Sequence, residues 1–125
     1  MMLDTDVLIW YFRGNKKAKT AIDKLDRFSI SALVYMELLQ GTRNKRELHI
    51  LKHFVVDREI EVINITEERS LLAIYYIETF VLSDGLRMAD ALIAATAYSR
   101  GDTLLTGNAT HYKMIPNLDL KIFLP

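Results

Sequence analysis

Short apolar segments that suit buried strands alternate along the chain with longer segments of helical periodicity, and this alternation limits the possible folds more than any other feature. The segments expected to be strands are 1–3, 28–31, 61–65, 103–106 and 120–123. Strands that are separated by helices need crossover connections, which favour parallel pairing with helices on both faces of the sheet. We therefore predict an α/β fold, a three-layer α/β/α sandwich around a central, mainly parallel sheet.

Helices are expected wherever apolar residues recur at intervals of three and four between residues that start or end helices. The expected helices are 7–12, 16–27, 32–40, 47–56, 67–82, 87–100 and a short one at 109–114. Ser31 and Thr66 are expected to cap the helices that follow them, and Gly41 and Gly101 to end the helices that precede them. The segment 87–100 is rich in Ala, Leu, Ile and Met, which predicts a largely buried helix.

Composition narrows the class of protein. The chain has 125 residues, of which 50% are hydrophobic and 26% charged, so we expect residues 1–125 to form one globular domain. The absence of Cys excludes disulfides, thiolate metal sites and cysteine nucleophiles. The apolar runs are too short to span a bilayer and no cleavable signal pattern stands at the start, so we expect a cytoplasmic protein without membrane contact.

The net charge of zero gives the chain no general attraction to nucleic acid. If Asp4, Asp6, Glu37 and Asp90 are assigned to a metal site, 12 of the 16 acidic residues remain against 16 basic ones. The rest of the surface is then mildly basic. Basic residues also cluster within 13–19 and 43–46, although a solvated helix face explains either cluster alone.

Four polar residues are candidates for one site. Asp4 follows the first expected strand and Asn108 follows the strand that ends near residue 106, so both belong to the carboxyl edge of the sheet, where such folds bind ligands. Glu37 and Asp90 are each the only charged residue in a long stretch of an expected helix. A carboxylate in apolar surroundings needs a compensating partner, and a divalent cation would relieve the repulsion between several of them. Oxygen ligands without Cys favour Mg²⁺ or Mn²⁺.

Structural roles explain some of these residues equally well. Asp4 could cap the first helix, and Asp6 could stabilise its positive end. Asp84 precedes a glycine and is best explained as a turn residue. His111 and Tyr112 could approach the site, but a surface histidine and a packed tyrosine are the simpler interpretations.

Ion pairs are the corresponding alternative for the two helix acids. Glu37 could pair with an arginine such as Arg43, and Asp90 with one such as Arg87. Either pair alone is as plausible as a catalytic role. The occurrence of two isolated acids together favours a shared site.

Four segments together resemble the motifs of PIN-domain ribonucleases, in both order and spacing. They are Leu3-Asp4-Thr5-Asp6, the stretch 31–41 with its internal Glu37, Ala89-Asp90-Ala91-Leu92-Ile93-Ala94-Ala95-Thr96-Ala97, and Leu105-Thr106-Gly107-Asn108. The stretch 89–97 is the most specific of them. Within this family the chain is most similar to the VapC toxins of type II toxin-antitoxin systems, and the resemblance covers essentially the whole chain.

The resemblance implies that Asp4, Glu37 and Asp90 bind Mg²⁺ or Mn²⁺, that Asn108 fills the fourth position and that Thr106 supports the site, while Asp6 remains a candidate supporting residue. An amide coordinates through its carbonyl or orients a water but adds no charge, so we expect one metal ion. The resemblance also implies an RNA substrate, a homodimer, and inhibition by an antitoxin peptide that covers the site, in some cases with an inserted arginine.

The implied reaction is metal-assisted hydrolysis of a phosphodiester, in which the cation holds a phosphate oxygen and activates a water. Either Glu37 or Asp90 could be the general base, and the sequence does not choose between them.

Other classes fit less well. A haloacid-dehalogenase-like phosphatase also has Asp-x-Asp after its first strand, but it needs a later acidic pair where this chain has Thr106-Gly107-Asn108. A receiver domain needs an Asp after its third strand, where Thr66 stands. A noncatalytic PIN-fold binding module and a PIN nuclease outside toxin-antitoxin systems remain as alternatives.

Overall fold

The computed structural model describes residues 1–125 and contains one five-stranded sheet. The strands are β1 (Met2–Leu3), β2 (Ser29–Ser31), β3 (Glu61–Ile63), β4 (Leu104–Thr106) and β5 (Leu120–Ile122). They lie in the order β3-β2-β1-β4-β5, and every neighbouring pair is parallel. The predicted parallel sheet is confirmed.

Six α-helices flank this sheet and complete the predicted three-layer sandwich. They are α1 (Thr5–Phe12), α2 (Lys16–Asp23), α3 (Ala32–Gln40), α4 (Lys45–Asp57), α5 (Glu67–Asp84) and α6 (Met88–Arg100), and a single 3-10 turn follows at Ala109–His111. No helix is both long enough and apolar enough to cross a membrane.

The central strand β1 determines where the site lies. Met2 is paired with Ser29 of β2 on one side and with Leu104 of β4 on the other, and Leu3 is paired with Leu105. Met2 and Leu3 are completely buried, as expected of a strand covered on both faces. Because the strands are parallel, the residues that follow β1, β2 and β4 emerge at the same edge of the sheet.

Helix α6 is buried along most of its length, as its composition predicts. Its buried residues are Ala91, Ile93, Ala94, Ala95, Thr96 and Ala97. The hydroxyl of Thr96 donates to the carbonyl of Leu92 at 2.8 Å, so that this polar group is satisfied inside the core. Asp90 lies in the first turn of α6, where the helix dipole favours negative charge.

Several element boundaries differ from the expected ones. Helix α1 begins at Thr5 because Asp4 caps it, and α2 ends at Asp23 because the chain must turn before β2 pairs with β1. Strand β3 ends at Ile63 rather than at residue 65. The expected helix 109–114 is only the 3-10 turn, since the backbone N–H of Tyr112 donates back three residues, to Ala109.

Candidate active site

Asp4 is the most firmly held side chain at the carboxyl edge of the sheet. It follows β1, is only 5% exposed, and caps α1 by accepting a hydrogen bond from the Thr5 backbone N–H at 2.8 Å. Its other oxygen, Oδ2, accepts from the Thr106 hydroxyl at 2.8 Å and from the Tyr112 hydroxyl at 2.9 Å. Asp4 is therefore both the helix cap and a fixed member of the site, so the two interpretations are compatible.

Asp90 contacts the hydroxyl of the same tyrosine. The Tyr112 hydroxyl lies 3.3 Å from Asp90 Oδ1, and His111 Nδ1 lies 3.3 Å from Asp90 Oδ2. Burial raises the pKa of Asp90, and the charge of Asp4 adds to this, whereas His111, Tyr112 and the charge of Arg87 act in the opposite direction. The predicted convergence of Asp4 and Asp90 is thus present.

Glu37 joins the site through a neighbour of Asp4. It lies on α3 and is partly buried, and its Oε1 accepts a hydrogen bond from the Thr5 hydroxyl at 2.9 Å. Its Oε2 accepts none from the protein. The side chain of Thr5 therefore connects the acid on α3 to the first turn of α1.

Asp6 contacts the loop after β4. Its Oδ2 accepts a hydrogen bond from the Gly107 backbone N–H at 2.8 Å, while its Oδ1 is buried without a hydrogen-bond partner. Burial, and secondarily the charge of Asp4, raises the pKa of Asp6 to about 6. This group therefore adds negative charge that the surrounding protein compensates only in part.

Thr106 and Asn108 have different roles. The backbone N–H of Asn108 donates to the Thr106 hydroxyl at 3.0 Å, and that hydroxyl in turn donates to Asp4. The side chain of Asn108 is exposed and makes no hydrogen bond. Its place as a fourth ligand stays a prediction.

No group of three or more His, Asp or Glu side chains is already arranged closely enough to hold a metal ion. Asp4 and Asp90 share a tyrosine, but Glu37 reaches Asp4 only through Thr5. His111 is nevertheless the only basic side chain within 4 Å of these carboxylates. Hydroxyl groups of Thr5, Thr106 and Tyr112 contact these carboxylates, which would otherwise repel one another.

Arginine ion pairs do not account for the two helix acids. Arg43 pairs with Glu47 at 2.8 Å, not with Glu37, and Arg87 lies within 4 Å of no carboxylate. Asp84 is the last residue of α5, before Gly85 in a left-handed conformation, so it lies in the helix and not in the turn that the sequence predicts.

Three residues of the site were missed or assigned simpler roles from the sequence. The sequence patterns do not single out Thr5, and they favour a surface role for His111 and a packed role for Tyr112. His111 is indeed half exposed and Tyr112 fully buried, yet both contact Asp90. The available signals are the position of Thr5 next to Asp4 and the positions of His111 and Tyr112, three and four residues after Asn108.

A groove of about 680 Å³ opens beside Glu37, between α1, α3 and α4. Its apolar lining includes Ile9, Phe12 and Ile50, and its charged lining includes Arg13. Asp4 and Asp90 do not line it. The groove therefore meets the site at Glu37 alone.

The sequence profile described as PIN domain matches residues 1–115, which is most of the chain. The chain belongs to the PIN-domain family. The resemblance seen in its motifs is thereby confirmed, and the acids of the site lie within the matched part of this PIN domain.

Known relatives agree with this assignment. The protein is 26% identical to ribonuclease VapC1 of Methanocaldococcus jannaschii over 98% of this chain and 86% of the relative. Its fold matches a chain of VapBC2 from Rickettsia felis bound to a promoter DNA fragment, with a TM-score of 0.82, 23% identity and 98% of both chains covered. It also matches a chain of VapBC-1 from nontypeable Haemophilus influenzae, with a TM-score of 0.80, 24% identity, and coverage of 97% and 96%.

Proposed function

We propose that this PIN domain is a metal-dependent endoribonuclease and the toxin of a type II toxin-antitoxin pair. The observation that supports this most strongly is the position of Asp4 and Asp90 on either side of one buried hydroxyl, at the carboxyl edge of the sheet. The relative named ribonuclease VapC1 supports RNA as the substrate. The location in the cytoplasm and the single domain 1–125 remain part of the proposal.

The residues fit a hard divalent cation, Mg²⁺ or Mn²⁺. The available donors are carboxylate oxygens, and Asp6 Oδ1 is a buried oxygen without a partner next to Asp4. Asp4, Glu37 and Asp90 would hold the cation, and Asn108 could add a carbonyl oxygen. Bound there, the cation would balance the negative charge of the carboxylates and of the phosphate and would lower the pKa of a water.

The chain's own residues have separable tasks in this mechanism. Asp4 is held on both oxygens and so has a fixed position. Glu37 has one oxygen free and lies where the groove brings solvent to the site, which makes it the better candidate for accepting a proton from the attacking water. Asp90, by contrast, contacts His111 and Tyr112.

An antitoxin peptide is the proposed occupant of the groove. The apolar wall suits the side chains of an extended or helical peptide, and Glu37 at its end suits a basic side chain of that peptide. VapBC complexes among the similar structures support a partner of this kind. Such a peptide would block Glu37 directly.

A second copy of the chain is the proposed partner of α5. This helix exposes an apolar stripe at helical spacing, which consists of Leu71, Ile74, Tyr75 and Leu82. Glu67 and Glu68 stand at the beginning of the helix and Arg87 follows its end. Two copies packed antiparallel would place each acidic end against the partner's arginine, so the surface is complementary to itself.

Cleavage of RNA by the full chain tests the proposed activity. We expect Mg²⁺- or Mn²⁺-dependent cleavage that stops with a chelator, and a loss of about 100-fold or more in Asp4→Asn and Asp90→Asn. Asp57→Asn, which changes an exposed acid on α4, is the matched control and should keep full activity. Sequencing the products identifies the target. Equal cleavage by all four proteins would refute the proposed site.

A further inference from the structure

The hydroxyl of Tyr112 is the only group that contacts both Asp4 and Asp90. It lies 2.9 Å from Asp4 Oδ2 and 3.3 Å from Asp90 Oδ1, and the residue is completely buried. A hydroxyl has a single proton, so the shorter distance indicates that it donates to Asp4. The longer contact allows the same proton to be shared with Asp90, so that the hydroxyl joins the two carboxylates.

The two carboxylate oxygens of Asp4 accept different numbers of hydrogen bonds. Each carboxylate oxygen can accept about two hydrogen bonds. Oδ2 accepts two, from the hydroxyls of Thr106 and Tyr112, whereas Oδ1 accepts only one, from the Thr5 backbone N–H. Oδ2 is therefore fully occupied, and the one free acceptor position of Asp4 belongs to Oδ1.

Packing alone does not explain a tyrosine at this position. A phenylalanine ring would fill the same volume and would bury no polar group, whereas a buried O–H needs a partner to be tolerated. An ordinary tyrosine hydroxyl is protonated at neutral pH, so it can donate to a carboxylate there. The hydroxyl is thus a permanent part of the carboxylate cluster.

We propose that Tyr112 is a positioning residue, which occupies Asp4 Oδ2 together with Thr106, leaves Oδ1 to face the divalent cation, and sets the distance between Asp4 and Asp90. This inference rests on the proposed function, because it concerns how the site receives that cation. Groups that orient the ligands of a metal act through those ligands and need not touch the substrate. The effect of Tyr112 is therefore expected first in metal affinity.

The test is the binding of Mn²⁺ to the full chain, measured by calorimetry without RNA. Tyr112→Phe should raise the Kd for Mn²⁺ about 10-fold or more, as for other groups that orient metal ligands. The matched control is Tyr76→Phe, which removes a hydroxyl without a hydrogen bond from another buried tyrosine and should leave the Kd unchanged. The increase in Tm on adding Mn²⁺ should shrink in Tyr112→Phe only.

Two variants of Thr106 test the same oxygen, Asp4 Oδ2, through its other hydrogen-bond donor. Thr106→Val removes the other hydroxyl that donates to Asp4 Oδ2, and Thr106→Ser retains it. The valine variant should weaken Mn²⁺ binding, and the serine variant should restore most of it. If Tyr112→Phe does not fold, these two variants still test whether the hydroxyl groups that donate to Asp4 Oδ2 affect Mn²⁺ affinity.

The outcomes separate this inference from the proposed function. A wild-type chain that binds no Mn²⁺ would overturn both. If the wild type binds Mn²⁺ and Tyr112→Phe has the same Kd, the positioning role is overturned and the proposed nuclease stays intact. If Tyr112→Phe does not fold, an unchanged Kd in Thr106→Val has the same consequence. A loss of stability in Tyr112→Phe with unchanged Mn²⁺ affinity would assign the hydroxyl to the fold alone.

Discussion

The backbone N–H of Gly107 donates to Asp6 Oδ2 at 2.8 Å, although 101 residues separate the two in sequence. The contact joins the first turn of α1 to the loop after β4. A Cβ atom at Gly107 would collide with that same oxygen, so any other residue would force the Asp6 side chain to shift and would disturb this hydrogen bond. Asp6 thus positions the loop that follows β4.

Replacing Gly107 should therefore destabilise the protein. We expect Gly107→Ala to lower the free energy of unfolding by about 1–3 kcal/mol, measured by urea denaturation. Gly41→Ala is the control, because a Cβ there meets only ordinary contacts, the nearest at 3.5 Å. In an Asp6→Ala background the effect of Gly107→Ala should shrink, and equal effects in both backgrounds would contradict the collision.

The raised pKa of Asp6 predicts a dependence of stability on pH. The pKa is about 6 in the folded protein against the ordinary value of 3.8, so the folded state binds the proton more tightly. The resulting stabilisation is fully present below pH 3.8 and is lost as the pH rises to about 6. Because solvent screening reduces the effect for this partly exposed group, wild type should lose about 1–2 kcal/mol more than Asp6→Asn between pH 4 and pH 7, measured in the presence of a chelator. Parallel pH profiles of the two proteins would disprove this.

The hydroxyl of Thr5 should orient Glu37. Thr5→Val keeps the shape of the side chain and the backbone cap to Asp4 but removes the hydrogen bond to Glu37 Oε1. We expect kcat for RNA cleavage to fall about 10-fold or more with little change in KM. Thr5→Ser, which retains the hydroxyl, should behave as wild type. A loss of activity in both variants would show that the methyl group matters instead.

The exposed face of α5 should determine the oligomeric state. Leu82 is 98% exposed, and Leu82→Lys should convert a dimer to a monomer in light scattering coupled to gel filtration. Val56→Lys changes an apolar residue that is 73% exposed on α4 and should leave the dimer intact. A wild-type monomer at all concentrations, or equal dissociation in both variants, would refute this interface.

Local sequence patterns were sufficient to predict the sheet and most of the helices. Ser31 and Thr66 cap α3 and α5 through their side chains, and Gly101 ends α6 in a left-handed conformation, as expected. These signals act between residues a few positions apart and so can be read directly. The end of α2 was wrong because pairing of β2 with β1, a contact between distant residues, overrides helical periodicity there.

The sequence by itself determined the fold class and identified Asp4, Glu37 and Asp90 as carboxylates that needed an explanation, because isolated acids in apolar segments are visible without a structure. Only the tertiary structure decided how they are held. The hydroxyl of Tyr112 bridges Asp4 and Asp90, and that of Thr5 reaches Glu37. Hydrogen bonds of this kind depend on directions and distances within about 3 Å. No spacing along the chain encodes these distances, since they are set by how parallel strands and helices pack.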